Sequence, residues 1–329
     1  MTIIRVPKSW EIAEQNVTSE TVFLNRRRFF KTLIGAGVGA TLMPILGCEK
    51  TEEANQKLEA TLKTESFSNI QRNSNFSTVD RPLTEVNLAG QYNNYYEFGG
   101  TKSIWQAAQT LPTQDWKIEV TGLVKKPRTY DLDELQKTFP IEERIYRFRC
   151  VEAWSMVIPW IGFSMKSLLA AVEPTAQAKF VSFSSYYDSK ITVGPLWSLG
   201  RKLPWPYTEG LRIEEMANEL AFFAIGNYGH KLPKQHGAPI RAVLPWKYGF
   251  KGAKSINKIE FLASQPATFW NTIDAHEYDF EANVNPNKPH PRWSQATEKF
   301  ISVGPGLKWE KRPTLPYNGY GEYVANLYV

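Results

Sequence analysis

Cys150 closes an alternating stretch, Tyr146-Arg147-Phe148-Arg149-Cys150-Val151. On a strand, Phe148 and Cys150 share one face, and Arg147 and Arg149 share the other. A cysteine at a strand end between arginines is placed where its thiolate is stabilised, and thiolate is a soft ligand suited to a redox-active metal. An isolated cysteine is also a small buried hydrophobe, so the residue alone leaves both roles open. The chain has 2 cysteines, and Cys48 follows an export-type segment, so no disulfide framework is available. The 4 histidines, His230, His236, His276 and His290, show no HxxH or HxxxH spacing, which argues against zinc.

Two other regions carry chemistry. From Leu220 to Ile259 no carboxylate occurs, while Lys231, Lys234, Arg241, Lys247, Lys251, Lys254 and Lys258 do. Such a local excess is one that an anionic ligand could neutralise. Within it, Pro245-Trp246-Lys247-Tyr248-Gly249-Phe250-Lys251-Gly252-Ala253-Lys254-Ser255 sets lysines three to four residues apart among glycines, which suits a phosphate or a solvated basic loop alike. Gln91 to Gly99 is polar and aromatic, and its Asn and Glu side chains could pair with a flat edge of donors and acceptors. No G-x-G-x-x-G follows a strand and no G-x-x-x-x-G-K-[ST] occurs, which disfavours nicotinamide and ATP.

The elements that must position these residues are short. Strands are predicted over Trp116–Val124, Tyr146–Val151, Lys179–Phe183, Ile240–Pro245 and Ile256–Leu262. Helices are predicted over Leu132–Thr138 opening at Asp131, over Ser164–Val172 capped by Ser164, and over Arg212–Asn218. This mixture favours an α+β domain over a doubly wound sheet. Hydrophobic content of 42% with 11 Trp excludes global disorder, and a net charge of +6 does not imply nucleic acid.

Asn25-Arg26-Arg27-Arg28-Phe29-Phe30-Lys31 fits a twin-arginine export signal, and the apolar run Thr32–Leu46 has the length of a signal-peptide core. That route carries proteins already folded around a cofactor. Ile45-Leu46-Gly47-Cys48 is similar to a lipobox, which leaves two outcomes: a lipid anchor at Cys48, or ordinary cleavage and release. The organisation expected is a signal peptide over 1–47, a polar tether over 48–85 and a catalytic domain over 86–329.

The unbroken string from Glu142 to Phe163, EERIYRFRCVEAWSMVIPWIGF, resembles the molybdenum-binding segment of the periplasmic protein-methionine-sulfoxide reductase catalytic subunits. Tyr92–Gly99, Gly237–Ser255, Pro291–Glu298 and Asn318–Tyr320 are similar to the same family, so the likeness runs from about Tyr92 to Tyr328. It implies a mixed-sheet, sulfite oxidase-like α+β domain binding one Mo-molybdopterin per chain. It further implies Cys150 as the catalytic metal thiolate, and Asn93, Tyr96 and Glu97 as cofactor contacts. Arg241, Gly252, Ala253 and Lys254 would hold the pterin phosphate. Ser185 stands where the family has Thr, and His236 stands where it has Asn; both are carried over as cofactor contacts. The implied activity is reduction of methionine sulfoxide in oxidised envelope proteins, with electrons from a membrane haem subunit drawing on quinol. The implied location is the periplasm, reached through the twin-arginine export machinery. An open mouth lined by Trp154, Trp160 and Tyr186 would admit such substrates. The alternatives are oxidation of sulfite or reduction of another S- or N-oxide on the same fold, and a non-catalytic envelope lipoprotein whose basic groove binds an anion.

Overall fold

Alternating and fully apolar runs of five to eleven residues, punctuated by Pro and Gly, sort this chain into strands joined by short helices. The computed structural model describes residues 45–198, 200–302 and 308–329. Helix α1 (Ile45–Leu62) is followed by β1 (Gln71–Arg72), α2 (Val86–Gln91), β2 (Lys117–Gly122) and β3 (Arg128–Asp131). Next come α3 (Leu132–Thr138), β4 (Glu142–Arg149), β5 (Trp154–Ser164), α4 (Met165–Val172), β6 (Phe180–Ser185) and β7 (Thr208–Arg212). The chain continues through α5 (Ile213–Met216), β8 (Phe222–Asn227), β9 (His230–Lys231), β10 (Arg241–Val243) and β11 (Ile256–Leu262). It ends with α6 (Phe269–Ile273), β12 (Thr297–Ser302), β13 (Lys308–Pro313) and α7 (Gly321–Val324).

The strands form two mixed sheets, as an α+β domain requires. One runs β3-β2-β11-β6-β7, with β11 parallel to β2 and antiparallel to β6. The other runs β1-β4-β5-β12-β13, with β8, β9 and β10 attached through β5. β5 is long enough to serve two partners on one edge, β12 in parallel at Trp154 and Ser155 and β8 antiparallel from Trp160 to Ser164, while β4 takes the other edge. Buried rings close the space between the sheets: Phe183 meets Phe223 at 5.8 Å, Phe223 meets Phe163 at 5.5 Å, and Phe163 stacks on Phe139 at 4.7 Å.

The helix starts follow the expected caps. Asp131 Oδ1 accepts from Glu134 N at 2.7 Å, and Ser164 Oγ accepts from Lys166 N at 3.3 Å. The apolar run of β5, by contrast, was not foreseen as a strand. Every residue from Trp154 to Phe163 is buried, so it has no alternation to read. Pro159 is tolerated inside it because β8 ends there, and only Tyr228 N reaches back to the Pro159 carbonyl, at 3.1 Å. At the irregularity that follows, a Cβ on Gly162 would lie 1.9 Å from the Phe223 carbonyl oxygen. Gly162→Ala is therefore expected to cost about 1–3 kcal/mol or more. An unchanged melting temperature would refute that close approach.

The segment expected to be a tether differs in the structure. Residues 54–329 form a single compact unit, so the folded body begins well before residue 86. Leu58 and Leu62 bury against Trp105, and Phe76 sits edge-on to Tyr146 at 5.4 Å. Thr84 N donates to Val157 O at 3.0 Å, and Thr84 Oγ1 accepts from Val157 N at 3.1 Å. Polar composition hid this because a few apolar anchors and backbone pairing to an existing sheet suffice to hold a polar segment. The twin-arginine motif, most of the apolar run and the Cys48 side chain lie outside the described residues. Among the described residues no helix is long and apolar enough to cross a membrane.

Candidate active site

β4 and β5 are joined by four residues, Cys150-Val151-Glu152-Ala153. Cys150 N donates to Trp154 O at 2.9 Å, Ala153 N donates to Cys150 O at 3.1 Å, and Ala153 is left-handed with φ 62°. Cys150 thus ends the ladder at a hairpin tip. Its buried thiol lies 3.6 Å from Glu152 Oε2 and accepts from Asn94 Nδ2 at 3.5 Å. The Glu152 carboxylate also accepts from Asn94 Nδ2 at 2.8 Å and Trp154 Nε1 at 3.0 Å, and pairs with Lys102. Burial raises the Glu152 pKa, but Lys102, Asn94 and Trp154 together hold it below its ordinary value.

The environment of the thiol corrects the sequence expectation. Burial first, and then the Glu152 carboxylate, push the Cys150 thiol up to about 12 against the weaker pull of Lys102 and Arg149. The flanking arginines face elsewhere: Arg147 pairs with Asp80 at 2.9 Å, and Arg149 turns into the interior. The protein surroundings therefore favour the thiol, and a bound metal cation is what would hold the thiolate.

Arg149 instead secures the backbone beneath the thiol. Its guanidinium bonds the Cys150 carbonyl, Glu298 Oε2 at 3.1 Å, Gln295 Oε1 at 2.8 Å and Thr314 Oγ1 at 3.2 Å. The Val151 carbonyl accepts from Gln295 Nε2 at 2.7 Å and Trp293 Nε1 at 2.8 Å, and Lys299 N donates to the Ala153 carbonyl at 2.8 Å. The C-terminal segment thus ties the Val151 and Ala153 carbonyls directly, and supports that of Cys150 through Arg149.

The acid-free stretch is sorted by the fold. Lys231 pairs with Glu65 at 2.6 Å, Lys247 with Glu215 at 2.6 Å, Lys251 with Glu209 at 2.9 Å and Lys258 with Glu260 at 3.2 Å. Lys234 donates to the Gln109 carbonyl at 2.9 Å. Most of the apparent excess is therefore neutralised by carboxylates from elsewhere in the chain. Arg241 is different, being buried with no carboxylate within 4 Å among the described residues. It donates to the His236 carbonyl at 3.1 Å and lies over Trp160 at 5.0 Å and Phe148 at 5.8 Å, and burial lowers its pKa to about 10. Lys254 is lowered to about 8 by burial and by Arg241, against the attraction of Glu97. A narrow cleft beside Arg241 is lined by Phe148, Arg241, Ala242, Tyr248, Gly249 and Gly252.

The other expected contacts converge on the same region. A Cβ on Gly252 would meet Ala242 O at 2.7 Å and Arg241 Nη2 at 3.1 Å, so glycine keeps that wall open. The Ala253 carbonyl accepts from Ala242 N at 2.9 Å. Glu97 is buried and raised to about 7, by burial against the pull of Lys254. Ser185 stands beside Glu97 and lowers its pKa, but its buried hydroxyl has no partner of good hydrogen-bond geometry. Asn93 Nδ2 donates to the Gly90 carbonyl at 2.8 Å, so it is Asn94 that reaches the thiol. Tyr96 sits edge-on to Trp270 at 4.8 Å and feels the charges of Glu152 and Cys150.

His236 is neutral and fixed. Its Nδ1 takes Asn227 Nδ2 at 2.7 Å and its Nε2 faces the Ala89 carbonyl at 3.1 Å, an arrangement that assigns the proton to Nε2. Burial lowers its pKa from 6.5 to about 4. Because the unfolded chain binds this proton more readily, stability is expected to fall as pH drops from 6.5 toward 4, by roughly 3 kcal/mol in full. Denaturant midpoints across that window for wild type and His236→Asn check this: the variant should show a flatter profile, and identical slopes would refute it.

The mouth also differs from expectation. Trp160 is buried beneath Arg241, and Tyr186 leans on Trp116 at 5.6 Å. The rings grouped around Tyr96 are Trp270, Trp197 at 6.5 Å, and Tyr278, which meets Trp270 at 4.9 Å. Sequence reasoning missed Asn94, Lys102, Glu152, Gln295 and Glu298. Asn94 and Glu152 lay inside the motifs already singled out, whereas nothing local marked Lys102.

The site fits a pterin cofactor with a thiolate-bound metal. It offers a buried cation without a carboxylate, a glycine wall, an unpartnered serine hydroxyl, a carboxyl raised toward neutrality and one thiol on a rigid tip. A structural comparison gives the sulfane dehydrogenase SoxCD from Paracoccus pantotrophus at 15% identity and a TM-score of 0.44, covering 70% of this chain. The chain spans 57% of the length of that protein. The sequence profile of the oxidoreductase molybdopterin-binding domain matches residues 106–270, half of the chain and the part that carries Cys150, Arg241 and Lys254. This chain belongs to the oxidoreductase molybdopterin-binding domain family.

Proposed function

We propose that the chain reduces methionine sulfoxide, in oxidised envelope proteins and as the free amino acid, with electrons from a membrane haem subunit linked to quinol. The observation that supports this substrate is the ionised Glu152 carboxylate, 3.6 Å from the Cys150 sulfur. A fixed negative charge there repels an oxyanion such as sulfite, whereas a neutral sulfoxide carries no such cost. The aromatic cluster of Tyr96, Trp270 and Tyr278 suits a thioether chain. Export through the twin-arginine route to the periplasm, with or without a lipid at Cys48, belongs to the same reading and rests on the N-terminal motif.

When bound, the molybdenum cofactor supplies the two-electron oxygen-atom chemistry, with one cofactor per chain and Cys150 as its protein ligand. Arg241, Lys254 and the Gly252-Ala253 backbone would hold the phosphate. Asn93, Tyr96, Glu97 and Ser185 would orient the pterin, and His236, its ring nitrogens held by Asn227 and Ala89, would act through its carbonyl by positioning Arg241. Glu152 Oε2, partly exposed, stands where it can pass to solvent the proton that Cys150 loses on becoming a ligand, and is itself left ionised. The net reaction consumes two electrons and two protons, breaks the S–O bond and releases a thioether and water.

The test is turnover of cofactor-loaded protein, with reduced dye and methionine sulfoxide compared against sulfite with an oxidised acceptor. Sulfoxide should be reduced and sulfite left unoxidised; the reverse pattern sinks the proposal. Glu152→Gln should bind sulfite as an inhibitor about tenfold more tightly, ~1.4 kcal/mol, once the repelling charge is gone. Unchanged inhibition would remove Glu152 as the discriminating group.

A further inference from the structure

We infer that electrons enter through the open β13 edge of the β12–β13 hairpin, and that the haem subunit that supplies them docks there through an acidic face. This rests on the reductase reading above, which requires an external donor. Trp309 on β13 is 41% exposed, so its ring reaches the surface. It meets Tyr92 edge-on at 5.3 Å, and Tyr92 meets Trp154 edge-on at 5.1 Å. Trp154 Nε1 donates to Glu152 Oε2 at 3.0 Å, and that oxygen lies 3.6 Å from the Cys150 sulfur. Three rings and a carboxylate thus form an unbroken line of contacts from surface to metal ligand. Electron tunnelling falls steeply with each gap, and this line leaves none wider than a ring contact. The electron passes from the reduced haem subunit to the cofactor, one at a time, without a bond being made or a proton leaving Tyr92. Burial and the charges of Glu152 and Cys150 in any case keep the Tyr92 hydroxyl protonated.

The surface around Trp309 gives the partner's charge. The exposed strand Lys308-Trp309-Glu310-Lys311-Arg312 carries three cations against one carboxylate, and β13 is the last strand of its sheet, with only β12 beside it. Arg312 pairs with Glu310 at 2.9 Å; Lys311 shares the face of Trp309 and Lys308 adjoins it from the other face, so these two lysines present the remaining charge along the open edge of β13. An acidic partner is steered to such an edge, through a small, salt-sensitive contact of the kind that transient redox pairs use.

The probe is a flavodoxin, a small acidic one-electron carrier that stands in for the haem subunit. In cofactor-free protein, Lys308→Glu with Lys311→Glu should weaken flavodoxin binding about tenfold or more and flatten its salt dependence. In loaded protein, Trp309→Leu should bind flavodoxin as wild type does but oxidise its hydroquinone severalfold more slowly in a single turnover without sulfoxide. Oxidation of reduced methyl viologen, which needs no docking, should be unchanged in both variants. Three results overturn the inference: binding untouched by the charge reversals, flavodoxin oxidation untouched by Trp309→Leu, or an equal loss with methyl viologen. Failure of the sulfoxide reading would show separately, as wild-type protein that accepts electrons from methyl viologen and leaves methionine sulfoxide intact.

Discussion

Cys150→Ser is expected to yield a folded protein whose turnover falls by about a thousandfold or more, equivalent to ~4 kcal/mol of transition-state stabilisation. Serine is nearly isosteric, and the surrounding bonds are made by the backbone of the tip and by Glu152, so the hairpin persists. What changes is the ligand. An alcohol is hard and does not ionise near neutrality, whereas the thiol, although raised to about 12 here, yields its proton to a bound cation. Molybdenum analysis, kcat with reduced dye and the melting temperature, taken together, check the prediction. Wild-type turnover in the variant would remove Cys150 from the chemistry, and a large fall in melting temperature would assign it a structural role.

The second large effect is expected at a residue that never touches the thiol. Glu298 accepts from Arg81 at 2.5 Å, Arg149 at 3.1 Å and Ser155 at 3.0 Å, all buried. Glu298→Ala strands the Arg149 guanidinium in the interior, leaves Arg81 with Asp80 alone, and should cost about 3–5 kcal/mol. Burial already holds the Arg149 pKa below its ordinary value despite the pull of Glu298, so losing that carboxylate leaves the cation without its main compensation. Because Arg149 also supports the Cys150 carbonyl, the variant should lose molybdenum at temperatures where it is still folded. Glu298→Gln keeps the volume and should fall between Ala and wild type. Denaturant midpoints and metal content check both, and a loss below about 1 kcal/mol for Glu298→Ala would contradict the buried network.

Much of the local structure was legible because it depends on near neighbours. Alternation marked β2, β4, β6 and β11, and Asp131 and Ser164 marked the starts of α3 and α4 to the residue. Family likeness was legible because the residues around Cys150 and from Gly237 to Ser255 are contiguous in the chain. The strand β5 was not, since burial on both faces erases periodicity.

Residue order by itself determined that the chain is α+β, that one thiol stands at the end of a strand and that a basic, glycine-bearing stretch lies downstream. Only the tertiary structure decided which of those cations remain uncompensated, because Glu65, Glu209, Glu215 and Glu260 are supplied from outside the basic stretch. It alone showed that burial and Glu152, rather than the flanking arginines, govern the Cys150 thiol. It alone brought Trp293, Gln295 and Glu298 beneath the hairpin tip, nearly 150 residues away in the chain. The physical reason is common to all three: local pattern encodes the backbone, whereas charge compensation, desolvation and hydrogen-bond support depend on distances in space that residue order does not contain.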